Sequence, residues 1–355
     1  MLARPVRAAV RLMARMRLQR VLECAARIEV HPGESRAGRR LGDAPPSGDD
    51  PEAVHDFRVA LRRLRSWLRA FRPHLEDTVA RKTERALGRV SRIAGEARDL
   101  EVQREWLLAA AADPKANMSA AAAWLAPGLA SSESGIVHRL GLEVVKTVPK
   151  VAARLARQLG QYTAEIDVDQ GEVGPRMSVV MADRILEDLS AVRRCLNRVQ
   201  RPSQVGESHL ARIAMKRLRY LLEALDPALT PAALAVQRLA LMQQALGDLH
   251  DAQVLAGRLA RPGAKVPSKM RLTRAPFDGH FARGLAAQAP TLQQMAALRS
   301  ALRARMASGF YQAHRLSRSR ETTAAFAGVT RLARQLRRPP RPGRSGPASR
   351  SPARR

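Results

Sequence analysis

The chain has 355 residues, more than one hydrophobic core commonly spans, and its 62 lysines and arginines against 32 acids give a formal charge of +30. Charge of that size repels itself unless a polyanion or counterions offset it, so a polyanionic partner is the first expectation. Aromatic residues make up only 3% of the chain, which disfavours the base stacking that single-stranded nucleic-acid binders use, and two cysteines without CxxC spacing indicate neither a disulfide framework nor a zinc site.

In chain order, apolar residues recur at three and four, β-branched alternation is scarce, and Pro/Gly-marked breaks separate the segments, so an all-α protein is expected. Helices are predicted over residues 6–28, 51–72, 76–111, 131–164, 178–201, 207–225, 231–260 and 290–336. A proline kink is expected at Pro149 and a break near Gly309. The first segment is Arg-rich and amphipathic like a transit peptide, but it lacks the serines of one and reads as the first helix of the fold. No run approaches the roughly 18 apolar residues that a membrane span needs, so a soluble, cytoplasmic protein with no membrane partner is expected. Cys24 and Cys195 sit in apolar helical contexts and read as buried thiols.

Residues 31–50, 167–176 and 261–290 have loop composition. The organisation expected is an N-terminal helical half over 1–166, a linker over 167–177, a C-terminal helical half over 178–336 and a disordered basic tail over 337–355. That tail carries seven arginines and no acid, but removing it from +30 still leaves +23 on the body.

The organising feature is an internal repeat. Residues 55–68, HDFRVALRRLRSWL, and 209–222, HLARIAMKRLRYLL, are identical at seven of fourteen positions. Downstream of each lies a second matching pair, GEARDLEV from Gly95 and GDLHDAQV from Gly247. Two paired motifs in one order point to a duplicated unit: two pseudo-symmetric, antiparallel helical bundles with long helices.

At about 100° per residue, His55, Arg58, Arg62, Arg65 and Arg69 fall within an arc of about 80°. Phe57, Leu61, Leu64, Leu68 and Phe71 form a core-facing seam roughly 120° away. The second copy repeats this with His209, Arg212, Lys216 and Arg219 on the stripe and Ala211, Met215, Leu218, Leu222 and Leu225 on the seam. Like charges three and four residues apart destabilise a helix by a few tenths of a kcal/mol per pair, so something outside the helix must reward the stripe. A flexible phosphate chain does so, because side chains at about 4.5 to 6 Å intervals along a helix meet successive phosphates through charge-assisted hydrogen bonds. A solvated basic face is the plainer reading, and its appearance twice, each time opened by histidine, weighs against it. Arg98, in the second motif, joins the candidates, while Asp99 and Asp251 read as carboxylates that hold arginines in place. Basic rows at Arg81, Arg85, Arg89 and Arg92, at Lys146, Lys150, Arg154 and Arg157, and at Arg194, Arg198 and Arg201 read as solvated faces.

The paired motifs, His-x-x-Arg-Val-Ala-x-Arg-Arg-Leu-Arg at 55–65 and His-x-x-Arg-Ile-Ala-x-Lys-Arg-Leu-Arg-Tyr at 209–220 with the downstream Gly-acid-x-basic-Asp pairs, resemble the CHAD (conserved histidine α-helical domain) family over residues 6–335. The resemblance implies two helical bundles with a basic groove or pore, binding of inorganic polyphosphate and, in bacteria, association with polyphosphate granules. The positions it marks are His55, Arg58, Arg62, Arg65, His209, Arg212, Lys216 and Arg219. Glu223 stands where the first copy has Arg69, which suggests stronger binding by the first half. No segment of the ExExK type precedes the repeats, so the triphosphate-processing domain fused to some relatives is not expected. Two rival functions remain open. A sequence-nonspecific nucleic-acid binder would use the same phosphate contacts. An enzyme would draw on the His250-Asp251 doublet, but Arg98, a poor metal ligand, replaces the histidine in the first copy, so no catalytic residue, metal or cofactor is expected.

Overall fold

The computed structural model describes residues 1–28, 51–75, 79–113, 115–166, 174–225, 229–260 and 290–338. Among them are nine α-helices: α1 (Val6–Ala26), α2 (Pro51–Ala70), α3 (Arg81–Ala111), α4 (Ser119–Ile166), α5 (Met177–Arg198), α6 (Val205–Leu222), α7 (Thr230–Ala260), α8 (Leu292–Ser317) and α9 (Arg320–Arg337). The expected loops at 31–50 and 261–289, the linker residues 167–173 and the tail from 339 lie outside the described residues.

Two closed rings of helices result. In the first, α1 packs on α2, α2 on α3, α3 on α4 and α4 back on α1; in the second, α5 packs on α6, α6 on α7, and α9 on both α7 and α5. Across the molecule eight of the nine helices described meet by rank, α1 with α5, α2 with α6, α3 with α7 and α4 with α8. The two helix starts also hold each other: Val6 donates its backbone N–H to the Pro175 carbonyl at 3.0 Å, and Met177 donates to the Arg4 carbonyl at 2.9 Å. One continuous hydrophobic core runs from Val6 to Ala333 through both rings, and a smaller one joins the far ends of α3, α4, α7 and α8 around Leu107 and Leu302.

The seams read from the repeat are the ones that make this core. Phe57, Leu61, Leu64, Leu68 and Phe71 are all buried, as are Ala211, Met215, Leu218, Leu222 and Leu225. Burial of each large apolar side chain contributes about 1.5–3 kcal/mol. Trp67 adds an anchor between helices, its indole N–H donating to the Val10 carbonyl at 3.0 Å. Cys24 is buried as expected, whereas Cys195 is only partly so because it lies at the edge of the α5 seam.

Two expectations for the helices are corrected. The fourth helix begins earlier than predicted, at Ser119, and holds both Pro127 and Pro149 within its 48 residues. The last predicted helix does break, but between Ser317 and Arg320, where the Ser319 hydroxyl accepts from the Thr322 N–H and starts α9. Gly309 instead serves close packing: a Cβ there would lie 2.8 Å from the Ala245 carbonyl oxygen and 2.9 Å from the Leu249 nitrogen, so its absence lets α8 press onto α7.

Candidate anion-binding site

Because the seams of α2 and α6 enter the same core, the polar faces beside them converge. They meet at a cleft of about 560 Å³, completed by α3, α7 and α8. It is lined by His55, Arg58 and Arg62 of α2, by Arg98, Asp99, Glu105 and Trp106 of α3, and by Arg212, Lys216, Arg219 and Tyr220 of α6. Asp248 and Asp251 of α7 and Arg305 of α8 complete its charged wall. Arginine and lysine supply seven cations there against four carboxylates, so the cleft is positive on balance.

Local ion pairs hold three of the cations. Arg305 bonds Asp248 at 3.0 Å, Arg98 bonds Glu101 at 2.8 Å and Arg219 meets Glu223 at 3.1 Å. Glu223 also reaches across to Arg63 of α2 at 2.9 Å, so the residue in the place of Arg69 ties the two rings together. Among the described residues no ion pair neutralises Arg58, Arg62, Arg212 or Lys216, although Asp251 and Asp99 favour the charge of Arg212 from a distance. The Arg58 Nε and Arg212 Nη1 atoms are buried without a hydrogen-bond partner.

The electrostatic consequence is large. Burial, and then Arg62 and Arg98, bring the Arg58 guanidinium down to about 10. Lys216 is pushed to about 7, first by burial and then by Arg212, Arg62, Arg58 and Arg219 around it. Burial likewise raises Asp99 and Asp251, while Arg212 acts on both in the opposite sense without an ion pair to either. His55, 3.4 Å from the Arg58 Nη2 through its Nδ1, is lowered by burial and by Arg58 and Arg98. Partial desolvation of unpaired cations is unfavourable, and an anion entering the cleft offsets that cost.

Not every predicted residue reaches the cleft. Arg65 turns to α3, where its Nη2 sits 3.3 Å from the place a Cβ would occupy on Gly88. Arg69 is exposed and borders a neighbouring pocket instead. His209 is not in the cleft lining; its ring lies 5.8 Å from that of His250, whose pKa falls to about 4 through burial and then Arg212, His209 and Lys216. The rows at Arg81, Arg85, Arg89 and Arg92 and at Arg194, Arg198 and Arg201 are exposed, as expected of solvated faces. Sequence reasoning missed Arg305, which stacks 5.5 Å from the centre of the Trp106 ring, because α8 lies outside the repeated motifs. It also passed over Tyr220, although that residue closes the second copy of the His-x-x-Arg motif.

Among the described residues no group of three or more His, Cys, Asp or Glu side chains is placed to hold a metal ion. No helix among the described residues is long and apolar enough to cross a membrane.

Comparison with known proteins adds the following. A family model described as the CHAD domain matches residues 37–260. A crystal structure of the CHAD domain from the plant Ricinus communis superposes with a TM-score of 0.56 at 18% identity, covering 92% of this chain and 92% of that one, a likeness of fold. No curated protein matches the chain.

Proposed function

Because this chain belongs to the CHAD domain family, we propose that it binds inorganic polyphosphate in the cleft between α2 and α6. The observation that carries this reading is the convergence of Arg58 and Arg62 with Arg212 and Lys216, four cations without an ion-pair partner among the described residues. A flexible chain with an anionic oxygen pair on every unit neutralises them in succession. Arg98, Arg219 and Arg305 flank the same path, already oriented by their carboxylates. His55 becomes a double donor when an anion raises its pKa. Polyphosphate granules, where a cell holds them, would then recruit the protein.

The cleft aromatics favour polyphosphate over nucleic acid. Arg305 lies over one face of Trp106, and Tyr220 is buried with Arg219 over its ring, which leaves little aromatic surface for base stacking. The reading is binding without turnover, since the His250 ring faces His209 and Arg212 rather than a cluster of acids.

The test is competition. Labelled long-chain polyphosphate should be displaced by unlabelled polyphosphate at lower phosphate concentration than by DNA or RNA, and its affinity should fall steeply with salt. Equal or stronger displacement by DNA or RNA would turn the reading to a sequence-nonspecific nucleic-acid binder. Phosphate release above a blank, lost in His250→Ala, would make the protein an enzyme.

A further inference from the structure

A second pocket, of about 240 Å³, lies between α1, α2, α5 and α6. Arg62, Lys216 and Tyr220 line both it and the cleft, so the two cavities meet across these three side chains. The rest of its charged wall is new: Arg17 from α1, Arg184 and Asp188 from α5, with Arg69 and Arg217 at the rim. Its one carboxylate therefore faces six cations.

The inner members are built in rather than draped over the surface. Arg17 lies 4.9 Å over the Trp67 ring and donates to the Arg63 carbonyl at 3.0 Å, which fixes its guanidinium at the pocket wall. Arg184 is held to the buried Asp188 at 2.9 Å and to the exposed Glu187 at 3.2 Å. After these contacts the Arg17 Nε, the Arg184 Nε and the Asp188 Oδ2 remain buried without a hydrogen-bond partner. The Trp67 ring and the Arg63 carbonyl account for part of the Arg17 guanidinium, and Asp188 with Glu187 for part of Arg184. Neither accounts for placing Arg17 and Arg184 beside the Arg62 and Lys216 of the cleft, with Arg217 at the rim, where like charges repel at close range.

We propose that this pocket is a second phosphate-binding site, which takes a compact mono- or diphosphate group. That group is either the end of a chain bound in the cleft or a free oligophosphate. Six donors around a small volume suit a terminal phosphate group better than mid-chain units, because an end group carries the greater charge and more acceptor oxygens to satisfy. The proposal rests on the polyphosphate reading only through Arg62 and Lys216, which the two sites share.

Titration calorimetry of the full chain with pyrophosphate decides it. Arg17→Gln with Arg184→Gln should weaken pyrophosphate binding by about tenfold or more, given the strength of charged hydrogen bonds. The rim pair Arg69→Gln with Arg217→Gln, whose exposed side chains fold does not need, should weaken it in the same direction. Wild-type pyrophosphate affinity in both pairs overturns the proposal. Long-chain polyphosphate binding by Arg58→Gln with Arg98→Gln is the separate arm: its persistence at full strength sinks the cleft reading and leaves the pocket to be judged on its own pairs. Pre-loading with long-chain polyphosphate separates the sources. Loss of pyrophosphate binding then identifies the chain end as the occupant, and simultaneous binding identifies the free oligophosphate.

Discussion

Arg62 of α2 donates a hydrogen bond from Nη1 to the phenol of Tyr220 on α6 at 3.4 Å, joining two residues 158 positions apart where the cleft and the neighbouring pocket meet. The bond is long and the guanidinium has further donors, so it steers Arg62 without occupying it. Tyr220→Phe should cost less than about 1 kcal/mol of stability and leave polyphosphate affinity within about threefold. Tyr220→Ala empties a buried ring position and should cost about 3–5 kcal/mol, in the range of other aromatic truncations. Denaturant titration and a binding isotherm on each variant measure both. A large affinity loss in Tyr220→Phe would show that the phenol itself contacts the anion.

A built site responds to its own members, whereas diffuse charge responds to any. Arg58→Ala with Arg62→Ala should weaken polyphosphate binding at least about tenfold, since charged hydrogen bonds contribute on the order of 1.5–3 kcal/mol each. Arg350→Ala with Arg354→Ala removes the same charge from the tail and should do much less. Arg212→Ala with Lys216→Ala should match the first pair if both rings take part. Equal effects of cleft and tail pairs, at unchanged helicity, would reduce the protein to a generally basic one.

Lys216 makes the site sensitive to pH. Its pKa of about 7 in the free protein means that roughly half the molecules carry it neutral at pH 7, and an incoming polyanion favours the charged form. Affinity should therefore fall as pH rises from 6 to 8.5, with protons taken up on binding above pH 7. Calorimetry in buffers of different ionisation enthalpy reads that uptake. Lys216→Arg, which stays charged, should flatten the profile. The same depressed pKa acts oppositely on folding: the unfolded chain binds the extra proton, so this residue's contribution to stability grows from about pH 7 toward the ordinary lysine range. A pH profile of binding that is unaltered in Lys216→Arg would refute the assignment.

Gly309 is set by backbone rather than by side chains. With the Ala245 carbonyl oxygen only 2.8 Å from a would-be Cβ, Gly309→Ala must push α8 off α7. Overpacking of this kind costs about 1–3 kcal/mol, measurable as a lower denaturation midpoint. Since Arg305 lies on the same helix, one turn earlier, polyphosphate affinity should drop with it. A midpoint equal to wild type would mean that the helices can part without cost.

Much of this protein was legible in its residues alone. Periodicity identified the buried seams of α2 and α6 residue by residue, because a helix keeps its angular register wherever it packs. The two motifs singled out His55, Arg58, Arg62, Arg98, Arg212, Lys216 and Arg219, all of which line the cleft. Sequence could not say where along its length a stripe is used. From His55 to Arg69 the stripe climbs roughly 21 Å, and neighbours change over that distance: Arg65 meets α3 at Gly88, and Arg69 looks onto α1 and α5. Only the packing of the two rings decided that the stripes share one cleft, that Arg305 enters it from α8, and that Arg17 and Arg184 gather behind it. Angular position is a local property of each helix, whereas which cations are desolvated together depends on contacts between residues far apart in the chain.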